Sequence, residues 1–75
     1  MSAKVNNVYE FEALFSEQAA INIEVRGMIA ENEMRAICGN SPAYTSCEFM
    51  HFADESKKLA EKFRQLAKEA QKDEQ

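Results

Sequence analysis

The segment Ile37-Cys38-Gly39-Asn40-Ser41-Pro42-Ala43-Tyr44-Thr45-Ser46-Cys47-Glu48-Phe49 punctuates a chain that has only two glycines and one proline. Gly39 stands where a helix can end cheaply, because glycine adopts the left-handed conformation without a Cβ penalty. Thr45-Ser46-Cys47-Glu48 matches a Ser/Thr-x-x-Glu capping box. Tyr44 before the cap and Phe49 four residues into the helix match a hydrophobic staple. Ser41-Pro42 offers a rival start, with proline in a first turn where its missing N–H is harmless. Either start makes 39–45 a turn.

Outward from that turn, both sides read as long helices. Asn7 followed by Glu10 fits a capping box with Asn as N-cap, so the first helix is expected over about 8–38. The second is expected over about 46–71, supported by the surface pairs Asp54/Lys58, Lys57/Glu61 and Lys58/Glu61. With no Pro/Ser/Gly-rich linker and no repeat, residues 1–75 read as one helical-hairpin domain of two antiparallel helices.

Heptad spacing identifies the buried faces. In helix 1, Phe11, Gln18, Val25 and Asn32 fall at a, and Leu14, Ile21, Met28 and Arg35 at d. Phe15, Asn22, Ile29 and Ala36 follow at e. That stripe is a little over 100° wide, enough for one buried face. Helix 2 has Phe49, Ser56, Phe63 and Ala70 at a and Phe52, Leu59 and Leu66 at d. Ala53, Ala60 and Ala67 recur at e, a smooth strip where another helix can approach. The expected shared core is Phe11, Leu14, Ile21, Val25, Phe52, Leu59, Phe63 and Leu66. Met28, Met34 and Met50 read as adaptable packing. Gln18, Asn22 and Asn32 interrupt the seam, either as hydrogen-bonded amides that fix register or as places where it opens to water.

At 1.5 Å per residue the helices are roughly 46 and 39 Å long, and a lone hairpin covers one side of each stripe. Ile23 and Ile37 lie on apolar surface that a hairpin leaves wet. So small a chain gains adequate stability most economically by oligomerising. The sequence therefore predicts an all-α hairpin that dimerises into a four-helix bundle. A break at Gly27 would instead give a compact three-helix monomer.

Charge adds a second pattern. The net charge is −4 and the sequence pI about 4.9. Between residues 10 and 33 the only base is Arg26. Glu10, Glu17, Glu24 and Glu31 form a row at position g beside the apolar stripe, either a solvated shoulder or a surface that selects a basic partner. The acidic balance argues against direct nucleic-acid binding, which needs clustered positive charge. No apolar run reaches the length of a membrane span. The start, Met1-Ser2-Ala3-Lys4, shows no apolar segment after its charge. Two cysteines without an export signal point to a reducing, cytoplasmic setting.

Catalytic signatures are absent. There is no Gly-rich phosphate loop, and a single histidine provides no Ser/His/Asp set. A small hairpin also has little room for a concave pocket, so neither an enzyme nor a cofactor is expected. Metal binding is the alternative. Glu48-x-x-His51 has the spacing by which ferritin-like bundles hold di-iron, yet the helical wheel turns His51 toward water. Cys38, Cys47, Glu48 and His51 are the candidate ligands, but the paired Cys-x-x-Cys spacing of zinc sites is missing. A Cys38–Cys47 bridge would span the turn, but the inferred compartment disfavours it.

The phrase Val25-Arg26-Gly27-Met28-Ile29-Ala30-Glu31-Asn32 resembles a short helical segment of ead-type accessory proteins of lambdoid prophages. The resemblance spans residues 25–32 and carries over no functional residue. It implies a phage- or mobile-element-borne protein that acts by binding a host protein. The expectation is therefore a non-catalytic helical interaction or regulatory module, a homodimer with a protein partner. A metal-binding bundle is the alternative, and an acidic mimic of nucleic acid a third class for which −4 is a weak field.

Overall fold

A computed structural model of the chain describes residues 3–74, and side-chain packing over 8–71. Two helices account for it: α1, Ala3–Ile37, and α2, Ser46–Glu74. They run antiparallel as a hairpin with extents of 60 × 17 × 12 Å. The cross-section is two helices wide and one helix deep. The radius of gyration is 17.6 Å, against about 11 Å for a compact chain of this length.

The turn forms as its residues dictate. Gly39 takes φ +77°. The amide of Asn40 donates to the carbonyl of Arg35 at 2.7 Å, and that of Gly39 to Ala36 at 3.0 Å. These are the two bonds of a Schellman motif, and they satisfy carbonyls the helix end would orphan. At the other side Thr45 caps α2: its amide donates to Glu48 Oε2 at 2.8 Å, as the capping box requires. The Thr45 hydroxyl donates to the same oxygen at 2.6 Å. The rival start at Pro42 is not used.

Several boundaries differ from the sequence reading. α1 begins at Ala3, so Asn7 lies inside the helix and is no N-cap. No Gly or Pro separates Ala3 from Val8, and adding residues to an existing helix costs little. α2 likewise runs on to Glu74, since Lys72, Asp73 and Glu74 include no breaker. α1 is unbroken at Gly27, where an added Cβ would meet nothing within 4 Å. The three-helix arrangement is not adopted. The surface ion pairs also differ: Lys58 reaches Glu55 at 3.6 Å and Arg64 reaches Glu61 at 2.6 Å. Exposed neighbours at i, i+3 and i, i+4 differ by only tenths of a kcal/mol, so spacing does not choose among them.

The seam follows the a and d positions. Leu14 and Met28 are buried at 5% and 3% exposure. Phe11, Ile21, Val25, Phe52, Leu59, Phe63 and Leu66 are half-buried. The Phe63 ring lies 4.7 Å from Phe11 and 5.0 Å, edge-on, from Phe15. The stripe is narrower than expected at e. Phe15 keeps 64% of its surface in water and Ile29 43%. Met34 and Met50 are exposed rather than packing, while Ile23 and Ile37 are exposed as expected of a hairpin. One helix facing one helix covers a and d. It cannot also cover e or the outer face of α1.

Candidate functional site

The antiparallel register sorts the flanking positions onto two edges. Phe11 opposite Phe63 and Asn32 opposite Tyr44 fix that register. In an antiparallel pair, e positions flank e positions and g positions flank g positions. One edge therefore carries Glu10, Glu17, Glu24 and Glu31 of α1 alongside Glu48, Glu55, Lys62 and Glu69 of α2. All four acids of the α1 row are exposed, and Glu55 is half-buried. The contribution of α2 was missed in the sequence. Its signal was present in the heptad register, but it means something only once the helices are known to be antiparallel.

The turn end of this edge differs from the rest of the α1 row. Glu31 is held by Arg35 Nε at 3.2 Å, and Glu48 is engaged by Thr45. Among the described residues, no ion pair joins Glu17 or Glu24. Among the described residues, the α1 carboxylates of this edge without an ion pair are therefore Glu10, Glu17 and Glu24, away from the turn.

The opposite edge is mostly apolar, with Gln18, Asn22, Arg26 and Ser56 as its polar residues. Two shallow hollows run along it. One, of about 460 Å³, is lined by Ile21, Asn22, Val25, Arg26, Phe49, Phe52, Ala53 and Ser56. The other, of about 430 Å³, is lined by Leu14, Phe15, Gln18, Ser56, Leu59, Ala60 and Phe63. Both contain a, d and e residues from the two helices and no g residue. Gln18 Nε2 donates to Asn22 Oδ1 at 3.1 Å across the stretch between them. Ala53 lines the first of these hollows and Ala60 the second.

At the turn, Asn32 plays a part that its a position did not disclose. Its Oδ1 accepts from the amides of Ala43 at 2.9 Å and Tyr44 at 3.0 Å. Its Nδ2 donates to the Tyr44 carbonyl at 2.9 Å. One side chain thus satisfies three backbone groups of the loop and ties it back onto α1. Gln18 and Asn22, by contrast, bond each other on the surface.

The residues named for metal binding do not form a cluster. Cys38 and Cys47 are free thiols and exposed. The His51 ring stands edge-on to Phe52 at 5.2 Å and is exposed. The Glu48 carboxyl is held below its ordinary range, first by the Thr45 hydroxyl, then by the Thr45 amide and its own amide. Among the described residues, no three His, Cys, Asp or Glu stand together as a metal-holding group. Among them, too, no helix is long and apolar enough to cross a membrane. No family model, curated protein or solved structure matches the chain.

Proposed function

We propose that this chain is a non-catalytic helical interaction module that self-associates into a four-helix bundle and docks a basic surface of a protein partner on its acidic edge. The observation that carries the reading is the sorting of the hairpin edges, carboxylates along one and an open apolar strip along the other. An apolar strip continuous with the seam favours burial against more helix. A carboxylate edge with Glu17 and Glu24 at its centre steers and selects positive charge through screened, long-range attraction. The resemblance of residues 25–32 to prophage accessory proteins supports a host protein as that partner, met in the cytoplasm.

The test is a pair of variants read at two salt concentrations. Immobilised wild type and the Glu17→Gln/Glu24→Gln double variant are exposed to the same lysate at low and high salt. Proteins retained by wild type at low salt and released at high salt should be lost from the double variant. Light scattering should find its self-association unchanged. Equal retention by both proteins would refute the acidic edge as the docking surface.

A further inference from the structure

We infer that the apolar edge, flanked by the e positions of both helices, is where a second copy of this chain seats, with the amide strip of Gln18 and Asn22 placed on the same strip of the other copy. This rests on the self-association proposed above and identifies its surface.

Three observations select the occupant and the edge. The first is area. The chain exposes 5944 Å², while a globular monomer of 8.5 kDa exposes about 4,700 Å². The excess, roughly 1,200 Å², exceeds the 800 Å² or so that each partner buries in a stable interface. A molecule one helix deep has this surplus because nothing covers its seam from the side.

The second is charge. An isologous dimer sets each edge against its own copy. On the acidic edge Glu10, Glu17 and Glu24 would meet like charges, with Lys62 the one base among the g positions. Repulsion of that kind costs several kcal/mol across an interface. On the apolar edge no such conflict arises: Ala53 and Ala60 permit close approach, and Phe15 stands out as a ring for the other copy to cover. Arg26, which lines the first hollow, is the single charged residue there, against the row of carboxylates on the other edge.

The third is the polar strip. Gln18, Asn22 and Ser56 separate the two apolar hollows along this edge. A second copy shifted along the hairpin would press these amides into the hollow lined by Leu14, Phe15, Leu59 and Phe63, leaving buried polar groups unpaired. Strip against strip lets amide meet amide and hollow meet hollow. The polar residues thereby set the register of the dimer, as a lone Asn does in a coiled coil.

The competing apolar surface is the outer face of α1, where Ile23 and Ile37 are 72% and 81% exposed. The experiment opposes the two. Light scattering over a micromolar concentration series is run on wild type, Ala60→Arg and Ile23→Arg, with circular dichroism to establish helix content. Wild type should reach twice the 8.5 kDa chain mass. Ala60→Arg should weaken dimerisation by roughly a hundredfold or more, the scale of leaving a charge unpaired in an interface, while Ile23→Arg should not. Footprinting of wild type with a photogenerated carbene provides a readout that needs no variant to fold. As concentration rises, labelling should fall at Phe15 and Ile29 and hold at Ile23 and Ile37. Dimerisation of folded Ala60→Arg as tight as wild type, or protection at Ile23 and Ile37 in place of Phe15, would overturn the assignment and leave self-association standing. A wild-type mass of 8.5 kDa throughout would overturn both.

Discussion

Replacing Asn32 by alanine removes three hydrogen bonds from the turn at once, at 2.9, 2.9 and 3.0 Å. A buried or half-buried hydrogen bond contributes about 0.5–1.5 kcal/mol net. The bonds to Tyr44 are partly buried, while the one to the Ala43 amide is exposed and easily replaced by water. Asn32→Ala should therefore cost about 1–3 kcal/mol, from a total of about 4–11 kcal/mol for a domain of this size. Urea denaturation at one fixed protein concentration measures it, since any dimer makes stability concentration-dependent. Amide hydrogen exchange should speed up at Tyr44 before it does in the helices. Asn32→Leu separates the clamp from a simple seam position. At an ordinary a position leucine would add apolar burial and stabilise, but here it should destabilise about as much as alanine. A loss below about 0.5 kcal/mol in Asn32→Ala, the scale of an incidental surface change, or a gain in Asn32→Leu, would refute the clamp.

Two further outcomes follow from the helix ends and the middle of α1. Thr45→Ala removes the hydroxyl that most lowers the Glu48 pKa, so NMR titration should find that pKa raised toward its ordinary value. Because a lowered carboxyl stabilises above the unfolded pKa and loses that stabilisation as pH falls through the folded one, the variant should also show a shallower loss of stability on acidification. Gly27→Ala should stabilise by about 0.5–1 kcal/mol, because the helix is continuous there and the added Cβ meets open space. A destabilised variant in thermal or urea melts would mean that this face is closely covered.

The sequence by itself determined the two helices, the turn between them and the a/d seam, because these are local or periodic properties. A left-handed glycine, a capping box and a 3.6-residue apolar repeat act within a few residues of chain. Gly39, the Thr45–Glu48 box, and Leu14 and Met28 at d positions were therefore legible before any contact was known. The Asn7 cap was not reliable for the same reason in reverse: a favourable cap is a weak local preference, and a continuing helix without a breaker outweighs it. Only the tertiary structure decided what Asn32 does, since its partners lie 11 and 12 residues away and meet it only when the loop folds back. It also decided that Phe15 and Ile29 stay wet, because exposure depends on how many neighbours surround a stripe and not on the stripe itself. The two edges belong to the same class. Heptads place Glu24 and Glu55, or Phe15 and Ala60, at equivalent positions of separate helices, but antiparallel pairing is what makes them neighbours along one molecule.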